Sequence, residues 1–360
     1  MSRLATATIH LGALRHNLAR LRELAAPARV MAVVKADAYG HGLERVARAL
    51  ADADAFGVAA IADGLRLRAA GHRQRIVVLS GPDSPADLDE LRRLDLDAVI
   101  HHDSQLDWLE ADRGGTLLRV WLKIDSGMHR LGFAPQRAAE VHARLSAMPA
   151  VAGHITLMTH FAASDEFGND FTARQIAAFE AGIADLPGPR SLGNSAAVLG
   201  WPAGHGDWVR SGGLLYGLSV VEGKTGADFG FRPAMTLATR LVAVNTVGKG
   251  ERVGYGGTWE APEDMRLGVA AIGYGDGYPR AIHADTPVRV KGRRCCIAGR
   301  VAMDLLTLDL RQAPEARVGD RVVLWGENLP VETVAAHAGT ISYDLTCGMT
   351  RRVLFVEDDN

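Results

Sequence analysis

Lys35 is the strongest candidate for a reactive residue in this chain, because it follows an apolar run from Arg29 to Val34. Such a run is typical of a buried strand in a parallel sheet, and Gly40 and Gly42 just beyond it permit tight turns. Since an ammonium group is expensive to bury, a lysine at this position either extends its charge to solvent or forms a Schiff base with an aldehyde cofactor. The run alone leaves both interpretations open.

Further polar residues follow other predicted strands. They are found in Lys123–Arg130, Thr159–Phe161, Gly193–Ala196 and Arg210–Gly213. Each group has an ordinary structural explanation, because a strand-end histidine is commonly a hydrogen-bonded structural residue, Gly-Gly a turn and Asn-Ser a helix cap. Only their combination is specific enough to indicate chemistry.

Taken together, these residues predict a phosphate site. Ser195 can begin a helix whose free N–H groups face an anion, Gly212 and Gly213 allow backbone N–H groups to approach it, and Tyr39 adds a hydroxyl. A phosphate held on one side, with Lys35 on the other, suits pyridoxal 5'-phosphate as the cofactor.

The elements that would position these residues alternate between strand and helix. Eight candidate strands are Arg29–Val34, Ala55–Ala60, Ile76–Ser80, Ala98–His101, Leu117–Ile124, Gly153–His160, Arg190–Leu192 and Trp208–Arg210. Alternation predicts an α/β fold with a parallel sheet and crossover helices. Eight repeats predict a closed (β/α)8 TIM-type barrel, whose sites lie at the carboxyl ends of its strands. An open, doubly wound sheet is the alternative.

Beyond the barrel the pattern changes to strands with few helices. Strand-like segments are Pro233–Val244, Arg266–Ile272, Val288–Ile297, Leu305–Leu310, Arg321–Trp325 and Arg352–Val356, and one short helix is expected at Val331–Ala338. We therefore predict two domains, a pyridoxal-phosphate-binding barrel at residues 9–228 and a mostly-β domain at residues 229–360.

Composition excludes several classes of function. The formal net charge of -2 over 360 residues gives no electrostatic basis for binding nucleic acid or an anionic membrane. No apolar run approaches the ~20 residues of a membrane span, and the first residues lack the core of a signal peptide. Three cysteines argue against a disulfide framework, and none belongs to a zinc-type cluster. A soluble, cytoplasmic protein without a metal is expected.

The complete set of motifs resembles the alanine racemases. It comprises Ala32–Gly42, Lys123–Gly132, Thr159–Phe161, Asn194–Ala196, Val209–Gly217, Gly254–Thr258, Gly273–Gly277, Gly299–Asp304 and Tyr343. The resemblance spans essentially the whole chain. It implies a pyridoxal-phosphate-dependent homodimer of barrel plus β-domain, in which an N-terminal strand, here residues 1–8, joins the β-domain and the active site is shared between subunits.

The resemblance also implies two catalytic bases. Lys35 would carry the cofactor as a Schiff base and, once released, exchange the proton of D-alanine, whereas Tyr255 of the partner subunit would serve L-alanine. Two bases suit the chemistry, since racemisation removes a proton from one face and returns it to the other. The implied phosphate contacts are Tyr39, Ser195, Gly212, Gly213 and Tyr343.

Other residues are implied to orient the cofactor and substrate. Arg210 would face the pyridine nitrogen, with His160 behind it. Arg130 would contact the cofactor's phenolic oxygen and the substrate carboxylate, to which Met303 of the other subunit would offer its backbone N–H. Lys123 occupies the position that some relatives carbamylate.

The predicted activity is interconversion of L- and D-alanine, which supplies D-alanine for the cell-wall polymer peptidoglycan or serves alanine catabolism. Racemisation of serine or another amino acid is the nearest alternative. A basic amino-acid decarboxylase would need acidic groups for a distal amine and a cysteine acid, which we do not find. A non-catalytic pyridoxal-phosphate carrier would be a barrel without the β-domain.

Overall fold

The computed structural model describes residues 5–359. Its strands are β1 (Thr6–His10), β2 (Arg29–Val33), β3 (Ala55–Val58), β4 (Arg75–Val78), β5 (Asp97–Ile100), β6 (Val120–Lys123), β7 (Thr156–Met158), β8 (Arg190–Ser191), β9 (Trp208–Ser211), β10 (Met235–Val247), β11 (Arg252–Val253), β12 (Trp259–Glu260), β13 (Met265–Ala270), β14 (Pro287–Val290), β15 (Arg293–Ile297), β16 (Leu306–Asp309), β17 (Arg321–Trp325) and β18 (Leu354–Asp358).

The helices lie mostly between the strands of the first two thirds of the chain. They are α1 (Leu11–Ala25), α2 (Lys35–Gly40), α3 (Leu43–Ala49), α4 (Ile61–Ala69), α5 (Asp87–Arg93), α6 (Asp103–Ala111), α7 (Ala138–Ser146), α8 (Phe171–Gly182), α9 (Ser195–Gly200), α10 (Val331–Ala338) and α11 (Ser342–Cys347). Within residues 5–359, no helix has both the length and the apolar character needed to cross a bilayer.

The chain divides into two compact units. The barrel unit comprises residues 15–215 and 221–223, and the β unit comprises the described residues before 15, residues 216–220 and those from 224 onward. Along the sequence, the chain passes between the two units several times from residue 215 to residue 224. This is a little before the boundary predicted after residue 228. Of the strand predicted at residues 1–8, residues 1–4 lie outside the described residues.

The barrel unit contains eight parallel strands in the order β8-β7-β6-β5-β4-β3-β2-β9. The two ends of this series are joined, because the N–H of Asp207 donates to the carbonyl of Arg190 and that of Arg210 to the carbonyl of Gly193, each at 2.8 Å. The sheet thus closes on itself. The predicted (β/α)8 barrel is confirmed, and the open-sheet alternative is wrong.

Large apolar side chains fill the barrel interior. Seven of its eight strands contribute one buried residue each to a single cluster, formed by Met31, Ala55, Val77, Val99, Trp121, Met158 and Trp208. The rings of Trp121 and Trp208 meet edge to face at 5.7 Å. This packed interior is what separates the carboxyl ends of the strands, where Lys35 lies, from their amino ends.

The β unit is organised around the 13-residue strand β10. Its second half pairs with β13, its middle with β17 and its first half with β1. Because β13, β16, β15, β14 and β17 also pair in series, they close a six-strand ring with β10. Strand β1 is antiparallel to β10 and parallel to β18. The mostly-β character predicted for this part of the chain is confirmed.

Two local expectations for the β unit are wrong. The segment Val288–Ile297 is a hairpin, β14 and β15, because Lys291 and Gly292 adopt φ values of 50° and 78°, which give the two-residue turn that suits a twisted hairpin. The unit also contains a second short helix, α11, beside the predicted α10. Six residues are too few to give a helical period that can be recognised in a sequence.

The burial of β1 gives a test of its place in the sheet. Ile9 is fully buried and lies opposite Met235, so Ile9→Ala should lower the free energy of unfolding by about 2–5 kcal/mol through the cavity it leaves. Urea unfolding followed by circular dichroism measures this. Thr8→Ala, at the neighbouring half-exposed position, should change stability by less than about 1 kcal/mol; equal effects would contradict this packing.

Candidate active site

Lys35 lies where β2 ends, at the first residue of α2. The four residues after it, 36–39, have φ values of 52–56° and positive ψ, so they form a left-handed turn. For residues other than glycine this conformation costs roughly 1–2 kcal/mol each. A strained segment of this kind is a candidate functional site, and here it sets the direction in which the chain leaves Lys35.

His41 holds this turn from inside the barrel unit. Its buried ring places Nδ1 3.1 Å from the carbonyl oxygen of Ala38 and 2.9 Å from that of Tyr39. Burial lowers the pKa of His41 to about 4, so the ring is neutral and Nδ1 donates its proton to these carbonyls. Asp37 adds a second restraint, since its carboxylate accepts the backbone N–H of Leu43 at 3.1 Å.

Tyr39 is brought by the turn to the residues that follow β8 and β9. A side chain on Gly212 would overlap the Tyr39 hydroxyl, so the two are in contact. The Ser195 hydroxyl accepts the backbone N–H of Gly212 at 3.0 Å and lies 3.0 Å from the Ser211 hydroxyl. Gly213, the next residue, is buried. The structure thus gathers Tyr39, Ser195, Gly212 and Gly213 at one corner.

Arg210, in β9, is nearly buried at 4% exposure. Its guanidinium donates to the carbonyls of Ser191, Thr159 and Leu192 at 2.6–3.1 Å and to Nδ1 of His160 at 3.3 Å. Burial lowers the pKa of Arg210 to about 10, so it remains a cation at neutral pH. Within the described residues its Nε–H has no protein acceptor, and it is the donor left for a ligand.

Positive charge is concentrated around Arg210. Burial, followed by the charges of Arg210 and Lys123, holds the pKa of His160 well below its usual value, so His160 is neutral and accepts from Arg210. Lys123, at the end of β6, is 7% exposed. Burial, followed by the positive charges of Arg210 and Arg130, lowers the pKa of Lys123 to about 8. The charge of Lys35 acts in the same direction. This end of the barrel is therefore suited to anions.

Arg130 is carried by a loop that Asp125 organises. The Asp125 carboxylate accepts the backbone N–H groups of Gly127 and His129, each at 3.0 Å. Burial raises the pKa of Asp125, but these hydrogen bonds and the charge of His129 together outweigh that effect, so the net shift is downward. Arg130 itself is exposed and has no hydrogen-bond or ion-pair partner in the described part of the chain, so its guanidinium is available to a carboxylate.

The remaining predicted residues belong to the β unit. Tyr255 is 70% exposed and stands between Gly254 and Gly256, which adopt φ values of 72° and 74°. Met303 is 51% exposed, and its carbonyl accepts the N–H of Gly275 at 2.9 Å. Tyr343 is half-buried in α11. Their approach to the barrel residues stays a prediction.

The donors in the barrel unit fit pyridoxal phosphate. A corner without a Cβ at Gly212 offers two hydroxyls and backbone N–H groups to a phosphate, Arg210 offers an N–H to a ring nitrogen, and Lys35 offers an amine. Sequence reasoning missed His41 and Asp125. An Asp two residues before a Gly is a signal for the turn that Asp125 makes. No local sequence pattern predicts that His41 bonds the carbonyls of the left-handed turn.

Two family models match this chain. The model described as alanine racemase, N-terminal domain, matches residues 9–220, and the one described as alanine racemase, C-terminal domain, matches residues 234–356. The alanine racemase of Shewanella baltica (strain OS185) is 52% identical over 347 residues, which are 96% of this chain and 97% of the relative.

Solved structures agree with this assignment. The biosynthetic alanine racemase from Pseudomonas aeruginosa has a TM-score of 0.96 at 44% identity and covers 99% of this chain and 100% of its own. The alanine racemase from Acinetobacter baumannii has a TM-score of 0.94 at 36% identity, with 99% and 100% coverage. Matches of this extent over both units show that the chain belongs to the alanine racemase family.

Proposed function

We propose that this racemase interconverts L- and D-alanine with pyridoxal phosphate bound at the carboxyl end of its barrel. The proposal rests on where Lys35 lies relative to the predicted phosphate site. Lys35 and the Tyr39–Ser195–Gly212 corner lie at the same end of neighbouring strands, because β2 and β9 pair in parallel with Ala32 opposite Ser211. The reaction would supply D-alanine for cell-wall synthesis or serve alanine catabolism.

The phosphate would be held where backbone and hydroxyl donors meet. Ser195 and Tyr39 would supply hydroxyls, and Gly213 would supply a backbone N–H that approaches closely because no Cβ intervenes. The Gly212 N–H, which the Ser195 hydroxyl accepts at 3.0 Å, would turn to the phosphate instead. Tyr343 of the β unit is proposed as a further hydroxyl. Burial is the main cause of the lowered pKa of Lys123, and the positive charges of Arg210, Arg130 and Lys35 add to it. A bound dianion would offset part of that positive charge.

Arg210 is proposed to determine which reaction follows. Pyridoxal phosphate, when bound, supplies an electron sink that acidifies the substrate Cα–H. The Arg210 guanidinium can only donate to the ring nitrogen, and its other N–H groups are fixed by three carbonyls and His160. It therefore leaves that nitrogen unprotonated, which weakens the sink and favours return of the proton over side reactions.

Two residues are proposed to move the proton. Lys35, freed when substrate takes its place, acts on D-alanine, and Tyr255 acts on L-alanine from the opposite face. The high exposure of Tyr255 supports a role against another chain, and we propose a homodimer in which each site receives Tyr255 and Met303 from the partner subunit. Arg130 and the Met303 backbone N–H would hold the substrate carboxylate.

Removing the Tyr255 hydroxyl tests the two-base assignment. Tyr255→Phe should lower racemisation by about 10²–10⁴-fold, the usual contribution of a positioned base, while the absorption band of the bound cofactor persists. In deuterated water the variant should still exchange the Cα proton of D-alanine and no longer that of L-alanine. Exchange of both isomers at the rates of the parent protein would contradict the assignment.

Reversing the charge at position 210 tests the control of reaction type. The carboxyl group that Arg210→Glu introduces can protonate the ring nitrogen. The ratio of transamination to racemisation should therefore rise by at least about tenfold, which corresponds to about 1.4 kcal/mol in relative barriers. Transamination is measured as released pyruvate. Arg210→Lys keeps a donor cation and is the control, with cofactor absorbance confirming binding in both variants. An unchanged ratio in Arg210→Glu would refute this role.

A further inference from the structure

A second site lies at the opposite end of the barrel from Lys35. It is a cavity of about 630 Å³ among the segments where the strands begin, and its charged lining consists of Arg29, Arg75, Arg119 and Asp97. Because parallel strands all start at one end of a barrel, this cavity is separated from the candidate active site by the packed interior. Nothing in the proposed racemase reaction uses these residues.

A buried carboxylate fixes two of the arginines. Asp97 is fully buried; one oxygen accepts Nε of Arg119 at 2.6 Å, and the other accepts the indole N–H of Trp121 at 2.9 Å and lies 3.3 Å from Nε of Arg75. Both guanidinium groups are held through their Nε atoms. Their orientation is therefore set before any ligand arrives, which reduces the entropic cost of binding.

The third arginine is held without a carboxylate. The guanidinium of Arg29 lies 3.9 Å above the ring of Trp208, and it has no ion-pair partner among the described residues. Outside the cavity lining, Asp95 bonds Arg119 at 2.8 Å. Asp97 is thus the one carboxylate that lines a cavity with three arginines, and the exposed His154 adds a donor on the same wall.

We propose that this cavity binds a small organic phosphate. Arginine forks match the geometry of phosphate oxygens. Three arginines less Asp97 leave a net charge of +2 in the lining, part of which Asp95 offsets at Arg119 from outside the cavity, so the lining favours an anion. The lining also includes Pro187 and Pro189, which are not buried and offer apolar surface to the organic part of the ligand. The volume falls within the range of about 300–1,000 Å³ common for small-molecule sites. The proposal goes beyond the proposed racemase function and does not depend on it.

Calorimetry on the cofactor-loaded protein tests this site, since a filled cofactor site cannot take up the probe. Inorganic phosphate and glucose 6-phosphate are titrated at low salt, with citrate as a carboxylate probe. Both phosphates should bind, the ester more tightly, and added salt should weaken binding. Arg29→Gln should lower affinity about tenfold or more, as expected for loss of a charged hydrogen bond, while racemase activity is retained.

Two further variants make the result decisive. Gly153→Glu places a carboxylate in the lining at a position where a side chain meets no neighbour. This negative charge should abolish phosphate binding although all three arginines are retained. Arg294→Gln removes the same charge from the exposed surface of β15 and should bind like the parent protein. The proposal is overturned by absence of phosphate binding, by preference for citrate, or by equal affinity of the parent protein, Arg29→Gln and Gly153→Glu.

Discussion

The left-handed turn at residues 36–39 is the constraint on which the candidate site depends. It requires four successive residues other than glycine to adopt an unfavourable backbone conformation, at a total cost of several kcal/mol. The Nδ1–H of His41 and the Asp37 carboxylate offset that cost by bonding groups within and just beyond the turn. The result is that one short segment presents Lys35 at the strand end and Tyr39 against Gly212.

Charge is the second organising feature of the barrel unit. At the carboxyl end of the strands, Arg210 and Lys123 are buried without an ion-pair partner in the described part of the chain, and burial is the largest cause of the lowered pKa of each. Such sites are stabilised when an anion binds. At the amino end the arrangement is different, because the buried carboxylate of Asp97 orients Arg75 and Arg119 for a ligand, while Arg29 lies over Trp208.

Sequence reasoning reached the architecture because eight apolar runs and their intervening helices obey strong periodic rules. It placed Lys35, Ser195 and Arg210 at strand ends by the same logic. It could not foresee the left-handed turn, since Ala36 and Ala38 have no preference for positive φ, nor the hydrogen bonds that His41 makes to compensate. The Lys291–Gly292 hairpin turn was missed because a strand-like composition continues on both sides of it.

The proposed homodimer requires that a complete site takes Lys35 from one chain and Tyr255 from the other. Mixed dimers of Lys35→Ala and Tyr255→Phe, purified after co-expression with different tags, test this requirement. Each variant alone should be nearly inactive, whereas each mixed dimer contains one site with both bases and should recover about half of the parent activity per dimer, as two-fold symmetry requires. Mixed dimers as inactive as each single variant would contradict a site shared between subunits.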